Sequence, residues 1–116
     1  MRFSLVWDRK AKEHYNELKH KAEVSLKSRE KSKKGKATKD EGLFKQVRKC
    51  VKLLTENPRH PGLQTHPFSS IPNPYKKDEK VFEAYAQQHT SGAYRVFWCY
   101  GPEKKQITIV AIVAHP

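Results

Sequence analysis

Three strand-like runs, 81–87, 93–100 and 106–114, follow one another in the last third of the chain, separated by Thr90-Ser91-Gly92 and by Gly101-Pro102-Glu103-Lys104-Lys105. Separators this short and this rich in turn residues make the three runs consecutive antiparallel strands. Side chains alternate across a strand, so Tyr94, Val96, Trp98 and Tyr100 share one face and Arg95, Phe97 and Cys99 the other. The uniformly apolar and aromatic set should pack against the rest of the protein. In the preceding run the same test turns Phe82, Ala84 and Ala86 inward. Glu83, Tyr85 and Gln87 are left on the far face, where Glu83 and Tyr85 should meet Arg95.

What packs on the inward face comes earlier in the chain. Phe3, Leu5 and Trp7 alternate with Arg2, Ser4 and Val6, the pattern of a short opening strand. Asp8 can cap a helix behind it, on which Trp7, Ala11, Tyr15, Leu18, Ala22 and Leu26 recur at steps of three and four. That stripe predicts roughly five turns with a Lys-rich outer face. Residues 27–39 then carry seven basic side chains against one acidic and no apolar residue larger than alanine. Such a stretch buries too little to offset its ordering entropy, which predicts a mobile connection or a fraying helix end. Thr38-Lys39-Asp40-Glu41 fits a capping box opening a second helix, with Leu43, Phe44, Val47, Cys50, Val51 and Leu54 on one face and Asn57-Pro58 at its end. Five prolines within 58–80 argue against a regular element there.

With 116 residues the chain has room for one domain. Its 24 Lys and Arg against 12 Asp and Glu give a net charge of +12, concentrated in the first two thirds, which points to a polyanionic partner and first of all to nucleic acid. Nothing in the sequence has the length and hydropathy of a membrane span or of a secretory signal, so the expectation is a cytoplasmic protein with no membrane partner. Cys50 and Cys99 each lie in an apolar-periodic segment without a C-x-x-C partner, which predicts buried free thiols. The histidines lack the spacing of a ligand set, so neither a metal nor another cofactor is expected.

The order strand, helix, helix, three antiparallel strands is joined by three local signatures. They are Asn57-Pro58 leading into Gly62-Leu63-Gln64-Thr65-His66-Pro67-Phe68, then Gly92-Ala93-Tyr94-Arg95-Val96, then a last strand running from Ile107 to His115. Together they resemble the RelE/ParE toxin superfamily of bacterial type II toxin–antitoxin systems, over most of the chain apart from the Lys-rich stretch. The resemblance implies an α+β domain, two helices on a mainly antiparallel four-stranded sheet. It also implies a toxin that either cuts mRNA on the ribosome, as RelE and YoeB relatives do, or inhibits DNA gyrase without catalysis, as ParE relatives do. A degenerate, non-toxic relative that only binds RNA or a partner is the third reading. A small antitoxin protein is the implied partner in the first two.

Cutting RNA by attack of a ribose 2'-hydroxyl on the adjacent phosphate needs a base, a proton donor to the leaving 5'-oxygen and a cation for phosphate charge. Arg95 matches the arginine of the family's Tyr-Arg strand, and a guanidinium can hold two phosphate oxygens at once. The competing reading makes it half of an ion pair with Glu83 on a solvated sheet face. His115 matches the near-terminal histidine of YoeB-like members, with Pro116 where their tyrosine follows, and suits proton transfer. The preceding strand lacks the lysine pair of RelE and the arginine of YoeB, leaving Glu83 as a base and Tyr85 as a stacking or proton-donating group. His66 falls on the family's loop position, where a structural role competes with a place in the site. For contacts to mRNA and ribosomal RNA the sequence offers Lys45, Arg48, Lys49 and Lys52 on the second helix and Lys76, Lys77 and Lys80 in the Pro-rich segment.

Overall fold

In the computed structural model, which describes residues 2–32, 35–88 and 92–114, the apolar face of 94–100 lies at the middle of the molecule. The elements run β1 (Ser4–Trp7), α1 (Arg9–Ser32), α2 (Lys39–Glu56), a 3-10 turn (Pro61–Leu63), β2 (His66–Phe68), β3 (Val81–Tyr85), β4 (Tyr94–Tyr100) and β5 (Gln106–Ala114). The strands form one sheet in the order β1-β5-β4-β3-β2, parallel between β1 and β5 and antiparallel elsewhere. The α+β class therefore holds, with five strands rather than four. The extra strand is β2. It lies inside the Pro-rich stretch that was expected to hold no regular element, and it escapes the periodicity test because it has three residues with a proline in the middle. Pro67 is tolerated because β2 is the sheet's edge, where a missing N–H interrupts no ladder.

Both helices cover one face. Ala11 of α1 and Val47, Cys50 and Leu54 of α2 are buried against Ala84, Val96, Trp98, Ile107 and Ile109. Trp98 sits between Phe82 at 4.8 Å and Tyr100 at 4.9 Å, so the inward parity read for β3 and β4 is the one observed. In β5 the alternation breaks: Phe97 stands opposite Ala111 and Trp98 opposite Ile109, leaving Val110 as the extra residue of a bulge. The slip lets Ile109 and Ile112 both face the helices, which strict alternation forbids. Cys50 and Cys99 are free thiols, raised by burial to about 12 and about 11.

Helix α1 opens where Asp8 accepts from the Lys10 N–H at 3.0 Å, and it continues to Ser32, into the stretch expected to be mobile or frayed. A contact that no local pattern encodes accompanies the extension: Arg29 donates to both carboxylate oxygens of Glu41, at 2.7 and 3.3 Å. Glu41 also closes the capping box of α2: its carboxylate accepts from the Thr38 N–H while its own N–H donates to Thr38 Oγ1. No helix among the described residues is long and apolar enough to cross a membrane.

The other face of the sheet has no helix over it, yet it is not bare. Val81, Phe97 and Cys99 are buried there with Phe68, Ile71, Val110 and Ala111 around them. The connection between β2 and β3 folds back across the strands. Asn73 Oδ1 turns it by accepting from the N–H groups of Tyr75 and Lys76, and the Tyr75 hydroxyl lies 2.8 Å from Thr108 Oγ1 of β5.

Candidate functional site

Strand pairing decides which polar side chains meet on this second face. His66 stands directly opposite Glu83, and Tyr85 directly opposite Arg95, so residues from three adjacent strands converge. His66 Nε2 is 2.7 Å from Glu83 Oε1, while Arg95 Nε is 3.5 Å from Glu83 Oε2. Tyr85 closes the group: its ring lies 3.8 Å beneath the Arg95 guanidinium carbon and meets the His66 ring edge-on at 5.6 Å. The expectation that Glu83, Tyr85 and Arg95 share a face is met, and His66 joins them.

Depth separates the four. The Glu83 side chain is 2% exposed and that of Arg95 10%, whereas His66 is 44% exposed. The Glu83–Arg95 pair is thus enclosed, not set on a solvated surface. Burying two charges is costly and is tolerated when they neutralise each other and their remaining polar atoms find partners. Arg95 meets that condition in part: Nη1 donates to the carbonyl of Gln87 at 2.7 Å, while the buried Nε has no hydrogen bond among the described residues and only the 3.5 Å contact with Glu83.

The contacts of His66 fix its protons. Nδ1 faces the Gln64 carbonyl at 2.9 Å, and a carbonyl only accepts, so Nδ1 carries a hydrogen. Nε2 faces a carboxylate oxygen, also an acceptor, so one further proton must lie between Nε2 and Glu83. The couple holds that proton either as imidazolium with carboxylate or as imidazole with carboxylic acid. An imidazole fixed by a carbonyl, sharing a proton with an enclosed carboxylate and open to solvent on its outer side, is equipped for general acid–base work. Gln64, which anchors it, is left-handed at φ 49, a conformation that costs a non-glycine residue about 1–2 kcal/mol. The 3-10 turn ahead of it enforces that geometry, with the Gln64 N–H donating to the Pro61 carbonyl.

The remaining sequence candidates lie elsewhere. Lys45, Arg48, Lys49 and Lys52 are exposed on α2, which packs on the opposite face, and Lys76, Lys77 and Lys80 are exposed in the connection before β3. His115 lies outside the described residues. Two contributors were not anticipated, the carbonyls of Gln64 and Gln87, because any residue supplies a carbonyl and only the fold aims it. His66 was singled out by the resemblance, which puts it at a loop position; the structure places it instead on the short edge strand β2.

The same arrangement of elements occurs in solved structures. The YoeB/ParE toxin from Agrobacterium tumefaciens superposes with a TM-score of 0.61 at 8% identity, over 97% of this chain and 99% of that one. The YoeB of Staphylococcus aureus, described as a dimer, superposes with a TM-score of 0.56 at 12% identity over the whole of both chains. No family model matches the sequence, and no curated protein matches it. With two helices on one face of a five-stranded mixed sheet, and end-to-end similarity to these structures, the chain has the RelE/ParE toxin fold.

Proposed function

We propose that this protein is the toxin of a toxin–antitoxin pair, an endoribonuclease that cuts mRNA on the ribosome. The observation that carries the proposal is the proton-sharing contact of His66 with Glu83, held on the side of the sheet that the helices leave uncovered. In the proposed reaction a base, the role proposed for His115, takes the proton of the ribose 2'-hydroxyl, and the 2'-oxygen bonds to phosphorus as the bond to the 5'-oxygen breaks. The leaving oxygen takes up a proton, and a 2',3'-cyclic phosphate and a 5'-hydroxyl result. His66 is the exposed member of the cluster and is assigned the proton transfer to the leaving oxygen, its Nε2 turning from Glu83 to substrate. Glu83 orients the ring, and the couple takes up a proton from water to restore its starting state. Tyr85 offers a phenol beside the same ring. Arg95, engaged by Glu83, Gln87 and the Tyr85 ring, holds the carboxylate and adds positive charge behind it; it reaches a phosphate directly only by leaving those partners. His115 stays a proposed second proton-transfer group.

The net charge of +12 suits a ribosomal target, and the exposed lysines of α2 and of the 69–80 connection would supply contacts that weaken with salt. The antitoxin is proposed to lie along α1, where Val24 and Leu26 are 53% and 39% exposed among basic side chains, a surface for an acidic segment that folds on binding. One observation favours a second reading: the mutual burial of Glu83 and Arg95 suits a gyrase inhibitor that binds and does not cut.

Mapping 5' ends on cellular mRNA after a short induction tests the proposal. Cuts inside translated frames, reduced about 10²-fold or more by His66→Gln, are the expected result. Intact mRNA with growth arrest and a DNA-damage response would transfer the case to gyrase. Growth unaffected by the induced protein would leave a non-toxic binding relative.

A further inference from the structure

A cleft of about 490 Å³ lies beyond the C-terminal end of α2, walled on one side by Gln64, His66 and Pro67 at the edge strand β2. That is within the range of small-ligand sites, about 300–1,000 Å³. Its walls combine two chemistries. Phe82, Trp98 and Tyr100 supply aromatic surface, and Arg59, His60 and Lys80 stand around them. His60 is committed to the fold, since its Nδ1 accepts from the Gly62 N–H at 3.0 Å and caps the 3-10 turn. Arg59 and Lys80 are exposed and appear in no ion pair among the described residues.

Part of the aromatic wall is open to solvent. Phe82 stacks on Trp98, and Tyr100 meets both edge-on while remaining 40% exposed. Trp98 carries a further mark: its buried indole N–H has no acceptor among the described residues, a deficit native interiors rarely leave. Exposed aromatic surface beside unpaired cations is the combination that holds single-stranded nucleic acid, the rings stacking on a base and the cations holding its phosphate.

We infer that this cleft binds a nucleotide unit, its base stacked against Phe82 and Tyr100 and its phosphate between Arg59 and Lys80. Trp98 lies behind that stack, against Phe82 and Tyr100, so its indole N–H senses whether the cleft is filled. The cleft adjoins the His66–Glu83 couple, since His66 of β2 is part of its wall. Being the sheet's edge and three residues long, β2 lets a strand reach from one to the other. An RNA strand as the occupant rests on the RNA-cutting reading; the chemistry of the cleft admits a free mononucleotide equally.

The chain has two tryptophans, which gives the test an internal reference. Trp7, at the end of β1, packs with Tyr15 of α1 under Lys12, outside the cleft. In ¹⁵N-labelled protein each indole N–H gives one NMR signal, to be followed while adenosine 5'-monophosphate or a six-nucleotide single-stranded RNA is added. The expected result is a saturable shift of the Trp98 signal with Trp7 unmoved. Saturation by the mononucleotide identifies a free nucleotide site, and saturation by RNA alone a subsite for the strand; either supports the cleft. Tyr100→Leu should weaken binding about tenfold through the lost stack. Arg59→Gln with Lys80→Gln should weaken it more than the charge-matched pair Lys19→Gln with Lys21→Gln on α1. A stationary Trp98 signal under both probes would overturn the inference, as would equal losses in the two double variants. The readout needs no cleavage, so a protein that cuts mRNA with an unmoved Trp98 removes the cleft alone, and a shifting Trp98 without cleavage removes the nuclease reading alone.

Discussion

Glu41 with Arg29 and Glu83 with Arg95 are built from the same two residue types, and they do different things because of where they sit. Arg29 grips Glu41 with two hydrogen bonds, at 2.7 and 3.3 Å, in a place that water partly reaches. Ser25 and Thr38 add further bonds to the same carboxylate, so Glu41 works as a clasp joining α1 to the start of α2. Glu83 and Arg95 are enclosed, with a looser 3.5 Å contact, and a third partner, His66, leads from the pair to solvent. A partly exposed pair with good geometry can hold two helices together. An enclosed pair with poorer geometry is a costly way to gain stability, and that disproportion is the physical reason to look for chemistry at Glu83 and not at Glu41.

The sharpest way to break the contrast is to remove one charge from the enclosed pair. Glu83→Leu strands the Arg95 guanidinium without its carboxylate and should cost about 3–5 kcal/mol, read as a fall in urea midpoint. Adding Arg95→Met should recover most of that, because the double replacement leaves neither charge behind. Such a protein would be folded but, on the proposal above, unable to cut mRNA. If the single and double variants are equally unstable, the pair supports the fold and nothing more.

How far this contrast could be foreseen differs between its halves. The Thr38 to Glu41 capping box is local, and three-residue spacing suffices to read it. The shared face of Glu83, Tyr85 and Arg95 follows from alternation, since β3 and β4 are regular over those residues. Burial was not legible. It depends on β2 adding to the edge and on the connection behind it folding across β4 and β5, held by Tyr75 and Ile71, long-range events with no periodic trace. The parallel pairing of β1 with β5, ends of the chain brought side by side, is equally silent in sequence, as is the bulge at Val110. Arg29 shows the same limit from the other direction. Composition marked its segment as unable to bury surface, yet one well-placed carboxylate twelve residues away accompanies helix to Ser32.

The exposed clasp should show itself in acid. The hydrogen bond from Arg29, aided by those from Ser25 and the Thr38 N–H, holds the Glu41 carboxyl down from 4.5 to about 2. A carboxylate with a depressed folded value binds fewer protons in the folded state than in the unfolded one, so the stability it contributes is complete above about 4.5 and fades as pH falls toward 2. Thermal unfolding of the natural chain and Glu41→Gln should differ most near neutrality and converge by pH 2. A gap independent of pH would mean that Glu41 acts through shape rather than charge.

The smallest expected effect separates the cap from the clasp. Thr38→Ala removes the acceptor of the Glu41 N–H, the 3.2 Å bond to the Glu41 carboxylate and the 2.6 Å contact with Ser25 Oγ, but leaves Arg29 on Glu41. Loss of a capping hydroxyl costs about 1 kcal/mol; the share owed to the Glu41 N–H involves no titrating group, so most of the loss should persist across the acid range where Glu41→Gln converges. Urea unfolding at pH 7 and at pH 3 distinguishes the two. A Thr38→Ala penalty that fades in acid like that of Glu41→Gln would mean cap and clasp are one cooperative unit, whose loss frees the end of α1 together with the start of α2. A constant penalty would leave the Arg29 contact as an independent tether, and the difference between the two carboxylates would then rest on burial alone.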